Sequence, residues 1–109
     1  MVDWVTVRDE PGRYVVKDAA LPDGSTASET ILYQHASTRG HSHPHAEMLY
    51  VVSGFGAVHL DGGPALVVHR GDMVWIDGGR HHRVTAGWDG MVFLCTFTGS
   101  REASRYGSV

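Results

Sequence analysis

The chain has little of what marks secreted, membrane-spanning or nucleic-acid-binding proteins. Its one cysteine, Cys95, cannot form an internal disulfide, which is typical of a reducing compartment. No apolar run reaches the 18 residues that indicate a transmembrane helix, and the first residues lack the basic and apolar regions of a signal peptide. A net charge of −3 provides no basic field for nucleic acid or an acidic membrane. We therefore expect a cytoplasmic protein that binds neither nucleic acid nor membranes.

The length of 109 residues limits the architecture. It leaves room for one core, so we expect residues 1–109 to form a single domain with a polar tail over residues 100–109. A domain of this size buries only about two-thirds of the surface that its unfolded chain exposes. Association would add stability and cover apolar outer strands, so we expect a homodimer.

Helical periodicity is weak along the chain, and strand patterns dominate. Fourteen glycines indicate many tight turns, as expected when short strands are joined by hairpins. The apolar and β-branched runs predict roughly eight strands, and the runs over residues 82–86 and 91–97 are expected to form a hairpin across residues 87–90. Nine such runs occur, over residues 5–7, 13–17, 30–35, 48–52, 57–60, 65–68, Met73–Ile76, 82–86 and 91–97. This spacing predicts an all-β antiparallel sandwich or barrel.

Histidine is abundant and clustered. Eight histidines occur in the chain, and His41 and His43 are separated by one residue, so on a strand both side chains face the same side. Glu47 has the same parity, and a bend at Pro44 brings it round as a third donor. Imidazole and carboxylate donors together suit Fe, Mn, Ni, Co or Zn. The alternative is a solvated His-rich loop that binds nothing.

The spacing of this cluster resembles the first motif of the cupin superfamily. That motif has two histidines one residue apart, a glutamate three or four residues later and a glycine after six more residues. His41, His43, Glu47 and Gly54 occupy those positions. The glycine that usually stands six residues before the first histidine is replaced by His35.

A second segment resembles the second cupin motif over residues 71–86, after the first over residues 41–54. Gly71, Gly79 and His82 match it, whereas Asp77 stands in place of proline and Ala86 in place of asparagine. The two departures lie at turn and support positions, not at ligand positions.

The resemblance implies a jelly-roll barrel with one divalent transition metal ion inside. Carried over by position, the metal ligands are His41, His43, Glu47 and His82. It also implies a small-molecule substrate, without choosing the reaction. We favour a dioxygenase acting on an enolic or phenolic metabolite. The alternatives are a redox-neutral cyclase, isomerase or decarboxylase, and a non-catalytic module that binds a small ligand.

Further polar residues lie near the motifs. His45 stands between two expected ligands, and the family pattern skips it, so we expect it behind the metal or at the rim rather than on the metal. Tyr33 and Gln34 precede the first motif and are candidates for lining the pocket. His81 has the opposite strand parity to His82, so we expect it on the surface. Cys95 alternates with two phenylalanines and is predicted to be a small core residue.

Overall fold

The computed structural model describes residues 1–61 and 63–98, and in this part of the chain it contains strands and no helix. None of the described residues therefore belongs to a helix that could cross a membrane. The seven strands are β1 (Val5–Glu10), β2 (Tyr14–Ala20), β3 (Thr26–Leu32), β4 (Glu47–Leu60), β5 (Leu66–His69), β6 (Met73–Ile76) and β7 (His82–Phe97).

All strand pairings are antiparallel, in the order β1-β2-β3-β7-β4-β5, with β6 also paired to β4. The longest ladder joins β4 to β7 and runs from the pair Glu47–Phe97 to the pair Leu60–His82. Glu47 and His82 thus lie at opposite ends of this ladder, yet their side chains are 2.7 Å apart. The ladder must therefore curve back on itself, which closes the barrel.

Two register shifts in β4 lie at the middle of this ladder, between Val51 and Ser53 and between Gly54 and Gly56. Such irregularities add bend and twist to a strand. Gly54 has a φ of +77°, and a Cβ on it would collide with the carbonyl oxygen of Gly90 in β7. Only glycine allows the two backbones to approach so closely at the bend.

The continuity of β4 and β7 corrects the expected division into shorter strands. Residues 82–86 and 91–97 were predicted to form a hairpin across residues 87–90, but β7 continues through that segment. Both halves of β7 pair with the same strand, β4. The glycines at 87 and 90 therefore mark a bend within one strand, because the hydrogen-bonding partner does not change there.

The strands alternate between inward and outward side chains. Along β3, every second side chain from Thr26 to Leu32 is buried, and in β4 Leu49 and Val51 are at most 1% exposed. Cys95 is buried in the same core, as predicted. Other large fully buried side chains are Tyr14, Val16, Val58, Ile76 and Met91. The predicted all-β jelly-roll barrel is confirmed.

The ends of several elements differ from the expectation. The third strand was predicted over residues 30–35, but β3 begins at Thr26 and ends at Leu32. His35 has a φ of +58°, which is incompatible with a strand. The predicted tail over residues 100–109 lies outside the described residues.

Candidate metal centre

Three backbone connections position the loop that carries the histidines. His41 and His82 exchange backbone hydrogen bonds of 3.0 and 2.9 Å, which form an isolated antiparallel bridge. The amide of Gly79 donates to the carbonyl of His43 at 2.6 Å. Glu47 is the first residue of β4 and pairs with both β6 and β7. Each expected ligand is therefore held by backbone pairing.

The four side chains expected to bind metal converge on one point. His41, His43, Glu47 and His82 each offer one donor atom, and these atoms all lie within 4.8 Å of one another. His82 Nε2 is 2.7 Å from Glu47 Oε1, and His43 Nε2 is 3.5 Å from Glu47 Oε2. Glu47, His43 and His82 are buried, at 5%, 8% and 3% exposure, and His41 is half-buried. The structure thus brings together the whole set that the sequence named.

Hydrogen bonds from the Nδ1 atoms fix the tautomers of the His43 and His82 rings. His43 Nδ1 lies 2.6 Å from the carbonyl oxygen of His45, and His82 Nδ1 lies 2.9 Å from that of Arg80. A carbonyl oxygen only accepts hydrogen bonds, so both Nδ1 atoms carry hydrogen. In the neutral rings the lone pairs are then on Nε2, which faces the cluster. Metal-binding histidines are commonly oriented by such bonds to carbonyl oxygens.

The short contact between His82 and Glu47 requires a positive charge near both groups. His82 Nε2 is buried and has no partner in hydrogen-bond geometry, although Glu47 Oε1 is only 2.7 Å away. Two electron-rich atoms at that distance repel each other unless a positive charge lies near both. Three imidazoles and one carboxylate are also donors that divalent transition metals accept. The donor set therefore fits such an ion.

The charge state of Glu47 is consistent with this geometry. In the metal-free chain, burial raises the pKa of Glu47, but hydrogen bonds and positive charge from protonated His43 and His82 outweigh burial and lower the pKa from 4.5 to about 2. The carboxyl group is therefore ionised at neutral pH. A divalent cation meets an anionic donor there without having to displace a proton.

His45 lies behind the cluster. Its ring stacks on Phe97, with 5° between the planes and 6.0 Å between the centroids. Its carbonyl oxygen accepts the hydrogen bond from His43 Nδ1. His45 thus orients an expected ligand through its backbone.

Tyr33 and Gln34 are placed far from the cluster, and the expectation that they line its pocket is corrected. Both are exposed and line a surface groove with Trp88 and Asp89. This groove lies at the bend of the β4–β7 ladder, whereas the four expected ligands lie where the two ends of the ladder meet. Because β3 ends at residue 32, its inward alternation does not reach these two side chains.

One residue that the motifs did not single out supports the histidine loop. A Cβ on Gly78 would collide with the carbonyl oxygen of Pro44, between His43 and His45. Gly79 was matched to the second motif and Gly78 was not singled out, although two adjacent glycines also indicate close backbone approach. His81, by contrast, is exposed as predicted.

Comparison with known proteins gives the same fold. The family model described as the cupin domain matches residues 28–97, which is more than half of the chain. The chain is 34% identical over 82 residues to (R)-mandelonitrile lyase from Granulicella tundricola, covering 73% of this chain and 60% of the length of that relative.

Two solved structures illustrate the likeness. KdgF from a Halomonas species has a TM-score of 0.75 and 25% identity, covering 93% of this chain and 91% of that chain. Oxalate decarboxylase from Bacillus subtilis, in a study of its Mn(II) centres, has a TM-score of 0.79 and 22% identity, covering 95% of this chain and 30% of that chain. Together with the match to the family model, these observations establish that the chain belongs to the cupin family.

Proposed function

We propose that this chain is a metal-dependent enzyme in which His41, His43, Glu47 and His82 hold one divalent transition metal ion. The observation that carries the proposal is the convergence of four donor atoms within 4.8 Å, three of them on buried residues. Burying a carboxylate and three imidazoles together is costly unless something compensates their desolvation. A metal ion provides that compensation, and Mn(II) in oxalate decarboxylase is a precedent for a barrel of this shape only, since 22% identity extends no further than the fold.

We infer that the reaction is redox-neutral and of the lyase type, on a small organic molecule. The support is the 34% identity to (R)-mandelonitrile lyase. Mandelonitrile is a cyanohydrin, so its cleavage breaks the bond between the nitrile carbon and the carbon that bears a hydroxyl. When bound, the metal supplies a Lewis acid for a substrate oxygen. The chain spans only 60% of that relative, so the substrate is part of the proposal.

The residues of this chain have distinct parts in that proposal. Glu47 contributes the negative charge, and the carbonyl oxygens of His45 and Arg80 keep the Nε2 atoms of His43 and His82 aimed at the ion. Phe97 pairs with Glu47 on the neighbouring strand, and its ring faces His43. It provides an apolar wall that keeps water from one side of the ligands, which strengthens electrostatic interactions there.

The dioxygenase favoured from the sequence is the second candidate. A set of imidazoles and one carboxylate also suits iron, and such a set leaves positions for a chelating substrate and oxygen. The discriminating measurement is oxygen consumption by the iron-loaded protein with a panel of enolic and phenolic compounds. Substrate-dependent oxygen uptake would favour the dioxygenase over the lyase.

The first test is metal content, measured by mass spectrometry on protein purified without a His-tag. We expect about one metal ion per chain in the wild type, lost in His82→Ala and retained in His81→Ala. The second variant is a matched control, because His81 is exposed beside His82. No metal in the wild type, even after reconstitution, would refute the metal site and leave a ligand-binding barrel.

The second test is activity. The metal-loaded protein is incubated with racemic mandelonitrile, and benzaldehyde release and the enantiomer consumed are measured. We expect consumption of one enantiomer, which separates catalysis from spontaneous decay, and loss of this preference in His82→Ala. Metal binding without turnover of cyanohydrins or oxygen uptake would favour the non-catalytic module.

We further propose that two copies of the domain, spanning residues 1–109, form a homodimer in the cytoplasm. The support for the dimer is an apolar outer face on β4 and β6, where Tyr50 pairs with Met73 and Met48 pairs with Trp75. Met73 and Trp75 are 64% and 65% exposed. Sedimentation should give a dimer for the wild type and a monomer for Trp75→Lys.

A further inference from the structure

The surface groove at the bend of the β4–β7 ladder lies away from the metal ligands, and the proposed function gives it no part. Its volume is about 560 Å³, within the range of sites for small molecules. Five of the side chains that line it are exposed, and we name this set the bend groove: Tyr33, Gln34, Ser53, Trp88 and Asp89.

A bulge in β7 turns Trp88 and Asp89 towards solvent. In the β4–β7 ladder, residues 87–90 stand opposite Phe55 alone, because the residues that flank them pair with the neighbours of Phe55. Before and after this segment every second side chain of β7 is buried, but Trp88 and Asp89 are exposed one after the other. Bulges re-aim side chains in this way and are frequent beside functional sites. The bulge thus gives the bend groove an aromatic ring and a carboxylate side by side.

Two glycines and an aromatic contact fix this bulge. A Cβ on Gly87 would collide with the Phe55 ring, and Gly90 has a φ of +73°, in the left-handed region that favours glycine. The Phe55 ring contacts the Trp88 ring in a T-shaped arrangement, with 5.9 Å between the centroids and 66° between the planes. The Trp88 side chain is nevertheless 64% exposed. The indole is therefore held in place while most of its surface stays open to a ligand.

The charge and the ring surfaces of the bend groove suit a cation. Asp89 is the one charged side chain among the described residues that line it, so the groove attracts positive charge and repels anions. Within the described part of the chain, Asp89 forms no ion pair. Trp88 and Tyr33, the latter 44% exposed, offer ring faces that attract cations. A methylated ammonium group suits such faces best, because its methyl groups also cover apolar ring surface.

We propose that the bend groove is a second ligand site, separate from the metal centre, and that it binds a small quaternary ammonium compound. The methylated head lies against the rings of Trp88 and Tyr33, and the Asp89 carboxylate compensates its charge. Gln34 and Ser53 provide an amide and a hydroxyl for a polar group elsewhere on the ligand. The site goes beyond the proposed function, since it shares no residue with the expected metal ligands.

The test compares choline with 3,3-dimethylbutan-1-ol, which has the same shape but carries carbon in place of the charged nitrogen. Each is titrated into the ¹⁵N-labelled full chain loaded with Zn²⁺, and the amide signals of Gln34 and Ser53 are followed by NMR. We expect choline to bind about tenfold more tightly than the alcohol, as the combined effect of cation–π contacts and an exposed ion pair.

Variants assign that preference to the bend groove. Asp89→Asn and Trp88→Ala should each weaken choline binding by about threefold or more, and both positions are exposed, so the fold should be retained. Asp77→Asn and Trp75→Ala are the matched controls. Trp75 is 65% exposed and its indole N–H donates to Asp77 at 3.1 Å, so this pair offers the same residue types outside the groove. Choline binding should be unchanged in both controls.

The outcomes separate this site from the proposed metal centre. Equal binding of choline and the alcohol, or no shift of the groove signals, overturns the proposal. Choline binding that is lost in His82→Ala but kept in Trp88→Ala also overturns it, because the cation would then lie at the metal centre. A preference for choline that depends on Trp88 and Asp89 and persists in His82→Ala supports the site, whether or not the lyase activity is found.

Discussion

Replacement of Glu47 by glutamine should remove a pH-dependent part of the stability of the metal-free protein. The pKa of Glu47 is about 2 in the folded chain, against an ordinary value of 4.5. A carboxyl group whose pKa is lowered by folding stabilises the folded state above its unfolded pKa, and this contribution is lost as the pH falls through the folded pKa. The window is therefore from about pH 5 down to about pH 2.

The size of this stability effect follows from the difference between the folded and the ordinary pKa of Glu47. Each unit of pKa difference corresponds to about 1.4 kcal/mol, so the difference for Glu47 amounts to about 3 kcal/mol in the free energy of unfolding. Glu47 is 5% exposed, so solvent screens this contribution little. A domain of this size has a total stability of about 5–15 kcal/mol. The effect is therefore large enough to measure.

The assay is urea unfolding, followed by tryptophan fluorescence in the presence of a chelator at pH values from 7 to 2. Wild type should lose about 3 kcal/mol more than Glu47→Gln across the window from pH 5 to pH 2. Glu29→Gln, on the outer face of β3, should follow the wild-type curve. Parallel curves for wild type and Glu47→Gln would refute the reasoning, because they would mean that the histidines do not hold Glu47 ionised.

Three further substitutions test the packing around the bend and the site. Gly54→Ala should lower the melting temperature, since a left-handed residue with a Cβ costs about 1–2 kcal/mol before its backbone collision is counted. Gly78→Ala should weaken metal binding in a chelator competition by displacing the histidine loop, whereas Gly63→Ala, whose nearest contacts are at 3.8 Å, should not. Leu49→Ala should cost about 2–5 kcal/mol in urea unfolding, because the side chain is 1% exposed. Leu66→Ala, at 40% exposure, should cost less than about 1 kcal/mol, and equal costs for the two leucines would contradict the assigned core.

Much of the candidate site could be predicted from local spacing. His41, His43 and Glu47 share strand parity, and parity depends only on neighbouring residues along the chain. His82 was identified by its place in a second motif that resembles the cupin pattern. The structure brings all four donors together. The spacing of histidine and glutamate along the chain was therefore enough to predict the four donor residues.

The buried polar residues at the start of β3 were not predicted, although they are visible in the sequence. Thr26, Ser28 and Thr30 alternate, but the predicted strand began only at residue 30, because Ala27 and Glu29 are residue types depleted in strands. The pairing of Ser28 with Cys95 and Asp18 could not be predicted, because the predicted strand did not include Ser28. These cross-strand neighbours are set only by the register between strands.

The sequence by itself determined that the chain is all-β and which four side chains are candidate ligands. Only the tertiary structure decided that β7 runs unbroken through residues 87–90, and that Tyr33 and Gln34 lie at the far end of the barrel. The physical reason is the range of the interactions. Alternation and turn chemistry act between neighbours, whereas the curvature that brings Glu47 to 2.7 Å from His82 depends on bulges and close backbone contacts between β4 and β7.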